Sequence, residues 1–187
     1  MVRGWMIRTL LVVVACAICW TPAAQAQAVF ETPGLITSAG QAADVAIVRA
    51  LLNMQLKLGL EYKPLAQPGD LAGMKSLIVS VGASTKGLGA AGLDMQKETA
   101  RTTALVKAAK AAGVRILVMH IGGEARRGKT SNDLIQIAAP AADYIVVLAG
   151  GNKDKLFTTI GAKQNVPVVE VPKLVDAGAA VRAVFKQ

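Results

Sequence analysis

Three stretches of this chain are continuous apolar runs of strand length: "SLIVSVG" (76–82), "VRILVMHIGG" (114–123) and "DYIVVLAGG" (143–151). A strand with one face in water alternates apolar and polar residues; these do not. Strands buried on both faces belong to parallel sheets covered by helices on two sides. The flanking segments fit that reading. "GLITSAG" (34–40) reads as a first strand, and 42–58 as a helix with Val45, Val48, Leu51, Leu52 and Leu56 on one face and Gly59 as its stop. "EYKPLA" (61–66) is a weaker strand, and Pro64 marks it as an edge. Residues 94–112 form an alanine-rich helix opened by Asp94 and closed by Gly113. Thr130 to Asp133 has capping-box spacing before a helix ending near Pro140. A helix over 153–164, a strand "VPVVEVP" (166–172) and a helix over 173–186 complete the chain.

This alternation of strand and helix predicts an α/β fold. The expected architecture is a three-layer Rossmann-like or flavodoxin-like sandwich with a mostly parallel five- to six-stranded sheet. Ala104, Ala108, Ala109 and Ala112 would let their helix sit close to that sheet. Ile47, Met54 and Leu58 lie off the main apolar face of the first helix. Either neighbouring segments cover them or they form a helix-mediated homodimer contact.

Residues 1–26 read as a signal peptide. Arg3 and Arg8 give a basic start, an apolar run extends from Leu10 to Trp20, and small residues surround Ala24-Gln25-Ala26. The run is shorter than the roughly 20 residues of a spanning helix. "VVAC" ending at Cys16 resembles a lipoprotein cleavage box, but cutting there would split the apolar segment in half. Cleavage after Ala26 leaves 27–187 as a single domain, periplasmic or secreted, with membrane contact only through the signal peptide. Cys16, Cys19, Trp5 and Trp20 would leave with the leader. The exported domain then has no disulfide, no thiol nucleophile and no thiolate metal site.

Without the leader, Lys and Arg fall from 21 to 19 against 12 acidic residues, a net charge of +7. A basic balance fits nucleic acid, an anionic membrane or acidic small molecules. Export and the scattered aromatics Phe30, Tyr62, Tyr144, Phe157 and Phe185 argue against nucleic acid.

Ligands of open parallel sheets bind beyond the carboxyl ends of the strands. Four such ends are glycine-rich and polar: Ser38-Ala39-Gly40-Gln41, then Gly82 to Gly87 with Ser84, Thr85 and Lys86, then His120 to Arg127 with Gly122, Gly123, Glu124 and Arg126, then Gly150 to Asp154 with Asn152 and Lys153. The opposite connections, such as "AAGVR" and "KQNVP", are plainer. At the polar edge Lys86, Arg126, Arg127, Lys129, Lys153 and Lys155 outnumber Asp94, Glu124, Asp133 and Asp154. Glycine backbones, helix N-termini and arginine forks all suit carboxylate or phosphate. A solvated basic rim is the plainer alternative.

Other motifs carry less. "GLGAAG" (87–92) fits a dinucleotide fingerprint only in letter, because it starts several residues after its strand and lacks the distant acidic partner. "GASTKG" is not a Walker loop. One histidine beside Glu124 makes no metal centre, so neither metal nor cofactor is expected. A hydrolase would need Ser38 or Ser84 as nucleophile, His120 as base and Glu124 as its orienter, but neither serine sits in a nucleophile elbow.

"LITSAGQAADV", "GASTKGLGAAGLD", "HIGGEARRG", "APAADYIVV" and "GNKDKLF", in this order, resemble an exported bacterial family classed as a domain of unknown function, number 6305. The resemblance implies a secreted single domain and carries no reaction with it. Its matching positions are Ser38, Gly40, Gln41, Lys86, Gly87, Gly89, His120, Gly122, Gly123, Glu124, Arg126, Arg127, Asn152, Lys153 and Asp154.

The sequence therefore predicts an exported protein that binds a small anionic metabolite and acts with a transporter or sensor partner. Arg126 and Arg127 would be charge partners, with Lys86 and Lys153 adding positive field. Ser38, Gln41, His120 and Asn152 would orient the ligand. Loops 83–93 and 124–131 would supply any closure. The alternatives are the hydrolase and a protein-interaction scaffold without a small ligand.

Overall fold

The computed structural model describes residues 30–186. The signal peptide expected over residues 1–26 lies outside the described residues, as do Cys16 and Cys19. Six strands form one sheet: β1 (Gly34–Ala39), β2 (Glu61–Tyr62), β3 (Ser76–Val81), β4 (Arg115–His120), β5 (Tyr144–Leu148) and β6 (Val168–Val171). Their order is β2-β1-β3-β4-β5-β6 and every pairing is parallel. The predicted α/β sandwich is present, with the full six strands.

The continuous apolar runs have the expected cause. In β3, Leu77, Val79 and Val81 enter one core layer while Ile78 enters the other. In β4, Ile116 and Val118 face the first layer and Leu117 and Met119 the second. Helices α3 (Met95–Ala111), α4 (Lys129–Ala138) and α5 (Leu156–Gln164) cover the first layer. Helix α1 (Asp44–Arg49), its π-helical continuation Ala50–Gln55, and α6 (Leu174–Arg182) cover the second. A fully buried Leu, Ile or Phe contributes roughly 1.5–3 kcal/mol by leaving water. The two layers therefore supply the main driving force, and they fix which strand ends lie together.

Three local expectations change. The first helix ends earlier than Gly59: Lys57 already turns left-handed at φ 57° and Gly59 follows at 65°. Asn53 then closes the connection, donating to the Leu60 carbonyl at 2.6 Å and accepting its N–H at 2.9 Å. The segment expected as a loop over 83–93 contains a helix, α2 (Thr85–Ala90). Ser84 caps it, accepting the Gly87 N–H at 3.1 Å. Helix α4 has no Thr130 cap. It starts two residues earlier than a Thr130 cap would give, at Lys129 after Gly128 (φ 139°), and the hydroxyl of buried Ser131 accepts the Ala83 N–H instead.

The strand order reverses between β1 and β3, the position where such sheets commonly open a crevice. Here backbone fills much of it. Gly40 (φ 107°) lies so close to Gly82 that a Cβ would sit 2.4 Å from the Gly82 carbonyl oxygen. A Cβ on Gly87 would sit 1.9 Å from the Gln41 carbonyl oxygen. Both positions need glycine for close approach.

Candidate functional site

The carboxyl ends of β1, β3, β4 and β5 lie side by side, as the parallel pairing requires. The nominated residues fall into three groups by what their side chains touch.

The first group is a buried scaffold under the β1 end. Gly40 donates its N–H to Glu98 Oε1 at 2.7 Å, and Gln41 Nε2 donates to the same oxygen at 3.1 Å. Arg101 completes the hub. Its Nε and Nη2 donate to the two Glu98 oxygens, each at 2.8 Å, while Nη1 reaches the Ala66 carbonyl at 2.8 Å and Nη2 the Ser38 carbonyl at 2.5 Å. Glu98 is 0% and Arg101 6% exposed, so Gln41 serves the fold rather than a solvent-borne ligand. The sequence reading does not include Glu98 or Arg101. Their three-residue spacing on one helix was the available signal, but it also describes ordinary surface pairs.

The second group ties β4 to β5. His120 is 0% exposed. Its Nδ1 lies 2.9 Å from the Val81 carbonyl and its Nε2 3.1 Å from the Gly123 carbonyl, with Phe157 against the ring at 5.3 Å. Burial pushes the imidazole below its usual range, outweighing the two carbonyls that favour protonation. A neutral ring donates from only one nitrogen. Gly151 must lack a side chain here, since a Cβ would sit 2.4 Å from the ring. Buried Asn152 donates to Thr158 Oγ1 at 2.7 Å and Glu170 Oε1 at 2.9 Å, and accepts the Phe157 N–H at 2.9 Å. Lys155 also pairs with Glu170 at 3.0 Å, and these contacts hold the Glu170 carboxyl below its usual range.

Arg127 belongs to the same group. It forms a two-pronged pair with Asp154 at 2.9 and 2.7 Å. It also donates to the Gly151 carbonyl and, from Nε, to Asn132 Oδ1 at 2.9 Å. Its guanidinium holds the Asp154 carboxyl below the usual range. Exposed Lys153 and Glu124 pair at 2.5 Å. A pocket of about 200 Å³ is lined by Glu124, Arg127, Asn132, Gly150, Lys153 and Asp154, and its charges are already matched. A count of cations along the sequence does not show that matching, because which acid each cation meets is set only when the segments after β4 and β5 come together.

The third group lies on the α1 side of the sheet. Arg126 reaches across Gly122 and Gly82, where no Cβ obstructs it, toward Asp44 at the start of α1. Its Nε is 3.7 Å from Asp44 Oδ2, beyond hydrogen-bond distance. Among the described residues, the Arg126 side chain makes no hydrogen bond to protein, and Asp44 Oδ2 is buried without a hydrogen-bond partner. Ser38 Oγ is likewise buried and unpartnered. Ser38 pairs in register with Ser80, on the sheet face shared with Ile36 and Ile78. Nothing in the sequence distinguishes Asp44 from any acidic helix start. Lys86 and Thr85 are exposed on α2, and Lys86 has no ion pair among the described residues.

The hydrolase constellation is not assembled. Ser38 and His120 lie on opposite faces of the sheet, Ser84 Oγ caps α2, and Glu124 pairs with Lys153 rather than His120. No cluster of three His, Cys, Asp or Glu among the described residues is placed to hold a metal ion. No helix among them is long and apolar enough to cross a membrane.

A comparison with curated proteins finds no match. Residues 31–185 match the model of a family described as a domain of unknown function (DUF6305), which spans the whole sandwich from the start of β1 to the end of α6, and the chain belongs to that family.

Proposed function

We propose that this is an exported binding protein for a small anion, a carboxylate or phosphate-bearing metabolite, held at the carboxyl edge of the sheet. One observation carries the reading. Arg126 is a partly exposed arginine whose terminal nitrogens have no protein acceptor among the described residues, at the strand-order reversal where such folds take ligands. Exposed Lys86 adds positive field from the neighbouring helix. Arg127, His120, Asn152 and Gln41 act as walls, because their polar atoms are engaged with the protein. Export through the leader and contact with a transporter or sensor are part of the same proposal.

The test is thermal unfolding against di- and tricarboxylates, phosphates, nucleotides and amino acids. A ligand at 100 times its Kd adds about 2.7 kcal/mol. That is a midpoint shift of roughly 5–10 °C for a domain of this size. The shift should be confined to one anion class and vanish in Arg126→Ala. A shift that survives in Arg126→Ala refutes the assignment.

A second reading has its own observation. Met54 is 76% and Ile47 43% exposed along the first helix. That stripe favours a homodimer or scaffold contact there. Light scattering of the wild type and Met54→Lys separates the two readings, because only the dimer reading predicts a change in mass.

A further inference from the structure

Resting on the anion reading of the same site, we propose that the ligand is an α-amino acid, its carboxylate on Arg126 and its ammonium on Asp44. A simple anion needs only a cation. This site offers a cation and an anion side by side, neither of them satisfied. Asp44 is 8% exposed, and its Oδ2 is buried without a hydrogen-bond donor. A buried carboxylate oxygen left in that state is costly, and folded proteins rarely tolerate it without a ligand, ion or water. The nearest cation, Arg126 Nε at 3.7 Å, lies too far to serve as the donor.

The other charged pairs at this edge are closed. Arg127 and Asp154 meet at 2.7 Å, Lys153 and Glu124 at 2.5 Å, and Lys155 and Glu170 at 3.0 Å. Asp44 and Arg126 are the pair left open, over the backbone of Gly82 and Gly122. A Cβ at Gly122 would lie 2.4 Å from Asp44 Oδ2 and 2.1 Å from Arg126 Cγ, so glycine is what lets the two groups stand together. In an α-amino acid, ammonium and carboxylate flank a single carbon. Their short spacing fits two protein charges this close, and a longer amino acid such as an ω-amino acid would not span them alike. Ser38 Oγ, the other unpartnered buried polar side-chain atom among the described residues, lies on the same sheet face.

The experiment uses calorimetry on the full chain with three matched probes: L-alanine, propionate without the ammonium, and ethylamine without the carboxylate. L-Glutamate and glutarate form a second matched pair. The expected result is that at least one amino acid binds about tenfold or more tighter than its deaminated partner. Asp44→Asn should abolish that preference, so that an amino acid and its deaminated partner bind alike. Arg126→Gln should abolish binding of both. If carboxylates bind as well as amino acids, and Asp44→Asn changes nothing, the zwitterion proposal is overturned and the anion reading stands. If no probe or other anion binds, both fall. The wild-type preference is measured without any variant, so a poorly folding Asp44→Asn leaves the first arm decisive.

Discussion

Arg126 and Arg127 are adjacent and identical in chemistry, yet they have different surroundings, so replacing each with alanine is a sharp test. Arg127 is 12% exposed at its side chain, and Asp154 is 54% exposed. Water can re-solvate that aspartate, so the ion pair itself is worth no more than about 1 kcal/mol. The bond to the Gly151 carbonyl is different, because Gly151 is buried and the donor is charged. Such bonds contribute about 1.5–3 kcal/mol. The Asn132 contact adds a smaller amount, and the guanidinium also lies 5.8 Å from the Phe157 ring. These terms overlap, so Arg127→Ala should cost about 2–4 kcal/mol, a midpoint loss of roughly 5–15 °C. The Arg126 side chain makes no hydrogen bond to protein among the described residues. Arg126→Ala should stay within about 1 kcal/mol of wild type. Thermal unfolding followed by circular dichroism reads both. An Arg127→Ala midpoint close to wild type, or an Arg126→Ala loss that exceeds it, refutes the division of labour.

Two further outcomes follow from buried charge. The His120 imidazole is held below its usual 6.5 by burial, so the unfolded chain takes up its proton at a higher pH than the folded protein. Stability should therefore fall as pH drops below 6.5, and go on falling until the lower folded pKa is passed. Glu31, Asp154 and Glu170 are also shifted down, but their losses begin only near or below the ordinary carboxylate values of 3.8 to 4.5. Denaturant melts between about pH 7 and pH 5 isolate the histidine. His120→Gln should flatten the curve there, and parallel curves would contradict the assignment. Glu98→Ala strands the Arg101 guanidinium in the core and should cost about 3–5 kcal/mol. A loss below about 1 kcal/mol would show that the hub is not structural.

The architecture was largely legible because it rests on local pattern. Apolar runs in "SLIVSVG" and "VRILVMHIGG" require cover on both faces, and that requirement alone implies a parallel sheet between helices. The helix opening at Asp94 was also legible, since a cap is a contact between near neighbours: its Oδ1 accepts the Lys97 N–H at 2.7 Å. The helix at Thr85–Ala90 was not. Its glycines argue for a loop, and only packing of Gly87 on the Gln41 carbonyl makes glycine the residue that fits.

The candidate site divides the same way. Sequence placed Ser38, Lys86, His120, Arg126, Arg127, Asn152 and Lys153 at one edge, because strand polarity in a parallel sheet decides which loops lie together. It did not decide which of them are already spent. That depends on partners distant along the chain: Glu98 engages Gln41, Asp154 engages Arg127 and Glu170 engages Asn152, whereas Asp44 stops short of Arg126. A one-dimensional count of charges registers all cations alike. Whether a guanidinium is matched or open is settled only when the folded sheet brings acids from other segments within hydrogen-bond distance, since the energy of such a contact falls away steeply beyond it.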